Sequence, residues 1–388
     1  MTPGARLAMA AEILDAVLEG TAAEKALTGW ARKSRYAGSK DRAAVRDHVF
    51  DALRCMRSYA ALGGAMTGRG LTIGLLRAEG TDPATLFTGE GHCPAPLTEA
   101  EETAGAAPAP GAEAGDMPDW IWPLVTQSLG DQAEAVAECL RHRAPVQIRA
   151  NLSRHDSAAV IAMLAEEGIT AAPGPLAPSA IEVSEGARRL TGTRAFADGV
   201  FEMQDAASQA VCATIPLKDG QRLLDYCAGG GGKTLALAAR AQLDLFAHDA
   251  TPERMQDLPV RAERAGVPVT LVDGSDLPGL APFDVVLCDV PCSGSGSWRR
   301  APEGKWRLTA DRLDDLQNIQ GQILSDVADL VAPDGLLAYA TCSLLAEENR
   351  DRIDAFIAGN PGWQVQADHR WTPLDGGDGF YLALLRRI

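Results

Sequence analysis

The sequence lacks the patterns that mark membrane, secreted and zinc-binding proteins. No apolar run reaches the ~18 residues of a transmembrane helix, so no membrane partner is expected. The first helix pattern carries Glu12, Asp15 and Glu19, which argues against a signal peptide. None of the eight cysteines forms a CxxC pair or belongs to a His/Cys group with zinc-finger spacing. We therefore expect a reduced, cytoplasmic protein with free thiols and no metal site.

Positive charge is also scarce, because 36 Lys and Arg residues face 52 Asp and Glu residues and leave a net charge of −16. This balance argues against broad, non-specific binding to nucleic acid, and no DNA partner is expected. Residues 1–60 are the exception, since basic residues outnumber acidic ones there. An RNA partner would bind local patches. The first candidate is a basic cluster that is otherwise a solvated face: Arg32, Lys33, Arg35, Lys40 and Arg42.

A glycine-rich stretch stands out in the second half of the sequence. Leu223–Thr234 reads LLDYCAGGGGKT, which is an apolar strand end, four consecutive glycines and the start of a helical pattern. In such a turn the backbone N–H groups and a helix N-terminus can meet a nucleotide-like ligand. The stretch fits neither GxxxxGK[ST], whose first glycine would fall on Cys227, nor GxGxxG, whose third would fall on Thr234. A structural turn is the alternative, but four glycines exceed what a turn needs.

Periodicity predicts three domains. Residues 1–143 show helical spacing, interrupted by an Ala/Gly/Pro-rich stretch at Thr103–Gly115 that predicts a loop. Residues 144–195 combine strand and helix patterns and predict a small α+β spacer. In residues 196–388 apolar strands alternate with helices, which predicts a doubly wound α/β domain with a parallel sheet.

Polar residues follow the predicted strands of this last domain, where ligands of doubly wound sheets bind. Asp249 lies roughly 20 residues beyond the glycines, which suits a carboxylate that binds ribose hydroxyls; a helix N-cap is the alternative. Asp273 suits a contact to an adenine amino group, or equally a structural turn. The other candidates at strand ends are Asp225, Asp289, Cys292 and Cys342.

Two thiols at neighbouring strand ends, Cys292 and Cys342, indicate covalent catalysis by one of them, with Asp289 beside them. One reaction needs these parts together. A thiolate adds to C6 of a pyrimidine, C5 then accepts a methyl group, and a carboxyl group stabilises the developing charge. A base must finally remove the C5 proton so that the thiol can leave. The remaining cysteines are interpreted as packing (Cys288), as core (Cys55, Cys139, Cys212) or as a loop residue without a role (Cys93).

A series of short motifs occurs in order along the segment Gln204–Leu385: Gln204–Gln209, Asp225–Ala228, Gly232–Thr234, Asp289–Gly294, Arg299-Arg300, Gln320, Tyr339–Ser343 and Asp378–Tyr381. With these motifs the segment resembles the RNA 5-methylcytosine methyltransferases of the Sun (RsmB/NSUN) family. The N-terminal part resembles the NusB-like helical domain of family members that modify bacterial 16S rRNA. The resemblance implies a class I S-adenosylmethionine methyltransferase with a Rossmann-like doubly wound sheet, an all-α NusB-like N-terminal domain and the small α+β spacer.

The resemblance also implies residue roles. Cys342 would be the nucleophile and Cys292 would assist release, although the Pro-Cys pair of DNA cytosine methyltransferases would instead nominate Cys292. Asp289 would lie near both the methionine part of S-adenosylmethionine and the target base. Asp249 and Asp273 would bind the ribose and adenine. The cofactor loop would consist of Cys227, Ala228, Gly229, Gly230, Gly231, Gly232 and Lys233.

The implied substrate is 16S rRNA, with tRNA as the alternative, and a monomer is expected. Trp298–Arg300 and Lys305–Arg307 interleave aromatic and basic residues that would stack on unpaired bases, or would belong to a core under a basic face. The family has Ala-Pro-Gly-Gly where Gly229–Gly232 stand, so a more mobile loop is expected. A non-catalytic ribosome-assembly factor and a Rossmann oxidoreductase remain alternatives from other classes.

Overall fold

The computed structural model of the chain describes residues 1–388. None of its helices combines the length and the apolar character that a membrane span requires. The chain divides into two compact units. One comprises Met1–Arg143 and Trp298–Arg307, and the other comprises Ala144–Ser297 and Leu308–Ile388. The division into three domains that the periodicity indicates stays a prediction.

The first unit is helical, as its apolar spacing predicts. Leu7 and Leu14 from the first helix, and Val45 and Val49 from the third, are buried in one core. Two helices near the end of this unit, Trp122–Leu129 and Ala133–Arg141, are separated at Gly130, whose φ of +55° is outside the helical region. The helices are α1 (Pro3–Leu18), α2 (Ala23–Lys33), α3 (Ser39–Arg54), α4 (Met56–Gly63), α5 (Gly68–Ala78), α6 (Glu99–Thr103), α7 (Trp122–Leu129) and α8 (Ala133–Arg141).

A small antiparallel sheet opens the second unit. Its strand order is β2-β3-β1-β4, and α9 (Ser157–Glu166) and α10 (Arg194–Ala197) connect its strands. Inward-facing Ile148, Ile181 and Phe201 pack with Val160 and Leu164 of α9. The strands are β1 (Val146–Ala150), β2 (Thr170–Pro173), β3 (Ala180–Glu185) and β4 (Phe201–Met203).

The large sheet has seven strands in the order β10-β11-β9-β8-β5-β6-β7. Its first five strands along the chain pair in parallel, as the alternation of apolar strands with helices predicts. The last two are antiparallel additions: β11 pairs with β9, and β10 pairs with β11. The strands are β5 (Arg222–Asp225), β6 (Asp244–Ala247), β7 (Thr270–Leu271), β8 (Phe283–Asp289), β9 (Val331–Thr341), β10 (Trp363–Trp371) and β11 (Phe380–Arg387).

Helices cover both faces of this sheet, which is why its central strands are apolar almost throughout. Leu224, on β5, belongs to one core, while its neighbour Leu223 belongs to the other. α15 belongs to the first unit. The remaining helices are α11 (Ala206–Thr214), α12 (Gly232–Ala238), α13 (Leu258–Ala265), α14 (Leu277–Leu280), α15 (Glu303–Arg307), α16 (Ala310–Ala328) and α17 (Arg350–Gly359).

Candidate active site

The glycine-rich stretch forms the turn between β5 and α12. Gly229 (φ +50°) and Gly231 (φ +77°) have left-handed backbone conformations that disfavour a side chain. A Cβ atom at Gly231 would also lie 2.1 Å from Cδ1 of Leu258. The shape of the turn therefore requires glycine at two of the four positions.

Two arginines hold the carbonyl groups of this turn. Arg149, buried on β1, donates hydrogen bonds to the Gly232 carbonyl at 2.7 Å and to Oε1 of Gln204 at 2.6 Å. Arg261 on α13 donates to the Gly230 carbonyl. These guanidinium groups restrain a loop from which the family's proline is absent. Nothing in the sequence around Arg149 marked it as part of the site.

Asp225 lies at the end of β5 and is almost completely buried, with 1% of its surface exposed. Its Oδ2 accepts a hydrogen bond from the Thr234 hydroxyl at 2.6 Å, and its Oδ1 has no hydrogen-bond partner. Burial raises the pKa of Asp225 to about 7, although the Thr234 hydroxyl opposes this shift. The carboxyl group therefore stays partly protonated at neutral pH.

Asp249 and Asp273 line the same cavity, of about 490 Å³, at the ends of β6 and β7. Oδ2 of Asp249 accepts the Gly229 N–H at 3.0 Å, and its Oδ1 accepts the Thr251 N–H at 2.9 Å. Oδ1 of Asp273 accepts both the N–H and the hydroxyl of Ser275. Asp273 thus has the turn-forming contact that was its structural alternative. The alternative for Asp249 was a helix N-cap, but Thr251 has that position before the short 3-10 helix Pro252–Met255. Both aspartates also face the cavity.

Lys233 and Asp289 form an ion pair next to the glycine turn. Nζ of Lys233 lies 2.6 Å from Oδ2 of Asp289 and 4.9 Å from the ring centroid of Phe380. Burial opposes the charged form of this lysine, but the Asp289 carboxylate outweighs it and raises the pKa of Lys233. The ammonium group therefore remains charged and balances the carboxylate at the end of β8.

The two thiols lie side by side. Sγ of Cys292 is 3.4 Å from Sγ of Cys342, and both side chains are partly exposed. The neighbouring Cys342 and burial together raise the pKa of Cys292 well above its ordinary value. Cys292 therefore keeps its proton more readily than an isolated thiol would.

The other cysteines have no contact with this thiol pair in the structure. Cys227, in the turn after β5, is partly buried, and burial raises its pKa. Cys288 is buried inside β8, and Cys55 and Cys212 are buried in their cores as predicted. The prediction that Cys139 belongs to a core is wrong, because this side chain is half-exposed on α8.

The aromatic and basic segment Trp298–Arg307 is mainly a packing element of the helical unit. Trp298 is 1% exposed, and Lys305 is equally buried and donates to the Arg54 carbonyl at 3.1 Å. Arg54 in turn donates to the Arg299 carbonyl, and Nε1 of Trp306 donates to a carbonyl of α3. The core interpretation is therefore right for Trp298. It is wrong for Arg299 and Lys305, which were expected on a solvated basic face and are buried, and none of the three is available to stack on RNA.

The sheet order and the paired thiols at its edge define a class I methyltransferase fold with a two-cysteine site. Residues 212–386 match the family model for the 16S rRNA methyltransferase RsmB/F, and residues 117–188 match the ferredoxin-like domain of RsmF/B-like methyltransferases. Both matches support a member of this RsmB/F methyltransferase family.

Curated relatives agree with this result. Ribosomal RNA small subunit methyltransferase B from Klebsiella pneumoniae is 32% identical over 285 residues, which cover 69% of this chain and 65% of that protein. The protein of the same name from Salmonella newport is 33% identical and is covered to 66%. The match thus spans just under two thirds of the length of these relatives.

Two solved structures show the fold. The match to the structure of PH0851 spans 100% of this chain and 99% of the PH0851 chain, with a TM-score of 0.76 and 22% identity. The match to a methyltransferase homologue from Pyrococcus horikoshii spans 71% of this chain and 97% of the homologue, with a TM-score of 0.63 and 24% identity.

The cofactor of this family is S-adenosylmethionine. The cavity at the ends of β6 and β7 suits the adenosine part of this cofactor. The cavity beside Asp249 and Asp273 has apolar walls that include Met255, Leu271 and Val272. A flat base can pack between such walls while the carboxylates accept hydrogen bonds from ribose hydroxyls and an amino group. The glycine turn has no side chains from Gly229 to Gly232 that would block a close approach of the ligand.

Proposed function

We propose that this protein is an S-adenosylmethionine-dependent RNA cytosine-C5 methyltransferase. The observation that carries the proposal is the distance of 3.4 Å between the sulfur atoms of Cys292 and Cys342. A single cysteine would serve a packing role as well as a catalytic one. Two partly exposed thiols in contact, at the edge of a methyltransferase sheet, suit a reaction in which one forms a covalent bond and the other helps to break it.

The proposed reaction begins with Cys342. Its thiolate forms a bond to C6 of the cytosine, which makes C5 nucleophilic, and Asp289 stabilises the charge that develops around N3 and the exocyclic amine. S-adenosylmethionine, when bound, supplies the methyl group. A base then takes the C5 proton and the S–C6 bond breaks, with Cys292 assisting this release. The contact between the two sulfur atoms, at 3.4 Å, supports this assignment, because a thiol at that distance can donate its proton to the departing sulfur.

Alanine variants separate the two thiols. On incubation with RNA and S-adenosylmethionine, Cys292→Ala should accumulate a covalent RNA–protein adduct, visible as a shifted band on a denaturing gel. Cys342→Ala should form no adduct and no product. The reverse pattern would exchange the two roles. Absence of both methylation and adducts in every form of the protein would leave a non-catalytic RNA-binding factor.

The proposed substrate is 16S rRNA, and tRNA is the second candidate. The names of the curated relatives support rRNA. Single-turnover methylation of naked 16S rRNA and of tRNA would discriminate them, and bisulfite sequencing of rRNA from a deletion strain would locate the nucleotide. Equal labelling of both RNAs would contradict the preference.

The basic cluster of the helical unit is the proposed RNA contact. Arg32, Lys33, Arg35 and Lys40 are exposed and have no ion-pair partner, and Tyr36 between them is 71% exposed. Cations attract phosphates, and an exposed ring can stack on an unpaired base. Replacing the first three by Gln should weaken RNA binding and flatten its salt dependence. A control with the same charge change, Lys25→Gln/Arg194→Gln/Lys218→Gln, should bind as the parent protein does.

We also propose that the protein is a cytoplasmic monomer. All eight cysteines are free thiols, which suits a reducing compartment. Light scattering on the purified protein tests the oligomeric state, and a dimer would overturn that part of the proposal.

A further inference from the structure

Glu348 is a buried carboxylate to which the sequence analysis assigned no role. It lies between β9 and α17, and none of its surface is exposed. Its two carboxylate oxygens accept hydrogen bonds from the two loops that carry the thiols. A buried charge without partners would be costly, and these hydrogen bonds offset that cost.

The first oxygen, Oε1, binds the loop that carries Cys292. It accepts the backbone N–H of Ser293 at 2.8 Å and the side-chain amide of Gln320 at 3.0 Å. The same amide group donates to the Pro291 carbonyl at 3.0 Å. Because both of its neighbours are acceptors, the nitrogen of the Gln320 amide must face them. Gln320 on α16 thus connects Glu348 to the residue before Cys292.

The second oxygen, Oε2, joins the two loops. It accepts the hydroxyl of Ser293, the residue after Cys292, and the hydroxyl of Ser343, the residue after Cys342, the latter at 2.5 Å. The carboxylate therefore has four donors, which fill its acceptor positions. The backbone carbonyl of Glu348 also accepts the Tyr339 hydroxyl of β9 at 2.7 Å.

We propose that Glu348 is the positioning residue that holds the two sulfur atoms in contact. It fixes the residue that follows each cysteine to one rigid group, so neither loop can shift without breaking a charge-assisted hydrogen bond. This role rests on the proposed methyltransferase function. In that reaction one thiol attacks the cytosine and the other assists its release, so both must lie within reach of the same base. A displacement of about 1 Å at a reacting group can cost up to ~10²-fold in rate.

A carboxylate is required here rather than any side chain of the same shape. In Glu348→Gln, an amide oxygen at the Oε1 position keeps both of its donors. The NH₂ group at the Oε2 position then meets two hydroxyls that had donated, and both must turn to accept. The loops stay joined by the bond from the Gly296 N–H to the Cys342 carbonyl at 2.9 Å, so the variant should fold. Its thiols should be held less firmly.

The matched control is the neighbouring glutamate. Glu347→Gln makes the same chemical change one residue earlier, and the buried Oε2 of Glu347 has no hydrogen-bond partner. Ser293→Ala is a second test variant, because it removes the hydroxyl that donates to Oε2 of Glu348 while leaving the carboxylate in place. It keeps the proposal testable if Glu348→Gln does not fold.

The first measurement needs neither RNA nor cofactor. Diamide takes two electrons and two protons from a pair of thiols, which leaves an S–S bond and the corresponding hydrazine. Peptide mapping then gives the rate at which the Cys292–Cys342 disulfide forms. This rate should fall by at least about tenfold in Glu348→Gln and in Ser293→Ala, and should stay at the parent value in Glu347→Gln.

The second measurement uses the proposed reaction. In a Cys292→Ala background, Glu348→Gln should slow the formation of the RNA adduct. In the protein with both thiols present it should lower kcat, with little change in the Kd of S-adenosylmethionine. Parent-like rates of disulfide formation in both test variants would overturn the positioning role, whatever the reaction. A parent protein that forms the disulfide rapidly but methylates no RNA would overturn the proposed function alone.

Discussion

The buried carboxyl group of Asp225 makes stability depend on pH in a direction opposite to that of most aspartates. Its pKa is about 7 in the folded chain against an ordinary value of 3.8. A raised folded-state pKa means that the native state binds the proton more tightly than the unfolded state does. The contribution is therefore fully present below about pH 4 and is lost as the pH rises through 7. At 1.36 kcal/mol per pKa unit, the whole effect is about 4 kcal/mol.

Asp225→Asn should abolish this dependence, because the amide has nearly the same shape, cannot ionise, and can still accept the Thr234 hydroxyl. Between pH 5 and pH 8, the ionisation of Asp225 should lower the free energy of unfolding of the parent protein by about 2.5 kcal/mol. Urea unfolding of both proteins at the two pH values measures it, and the difference between them cancels the other titrating groups. Parallel losses in parent and variant would refute the reasoning.

Three further substitutions test the site and the fold. Gly231→Ala should lower the free energy of unfolding by about 2–4 kcal/mol, since φ is +77° and the new Cβ would overlap Leu258; an unchanged Tm would contradict this. Gly321→Ala on α16 should raise it by about 0.5–1 kcal/mol, because its Cβ meets nothing within 4 Å and alanine favours a helix; a lower Tm would be the opposing result. Asp249→Asn should weaken S-adenosylmethionine binding about tenfold by calorimetry with an unchanged circular dichroism spectrum, whereas an unchanged Kd would remove Asp249 from the cofactor site.

The class of fold and the cofactor edge could be predicted from sequence because both depend on local order. Apolar runs that alternate with helical periods specify parallel strands, and the C-terminal ends of such strands necessarily meet at one edge of the sheet. The glycine turn, Asp249, Asp289, Cys292 and Cys342 were predicted at that edge on this basis. β10 and β11 were not predicted. β10 is mostly exposed, and β11 begins with a continuous buried run, which periodicity alone cannot assign to a strand.

Only the tertiary structure decided which side chains act together. Glu347 and Glu348 are indistinguishable as neighbours in the sequence, yet only Glu348 is enclosed by donors from two loops, at Ser293 and Ser343, that lie 50 residues apart in the chain. Burial likewise turned Lys305 from a candidate RNA contact into a packing residue. Sequence periodicity reports the face on which a residue lies. Distances between groups that are remote in the chain, and the burial that shifts their charges, arise only when the elements pack.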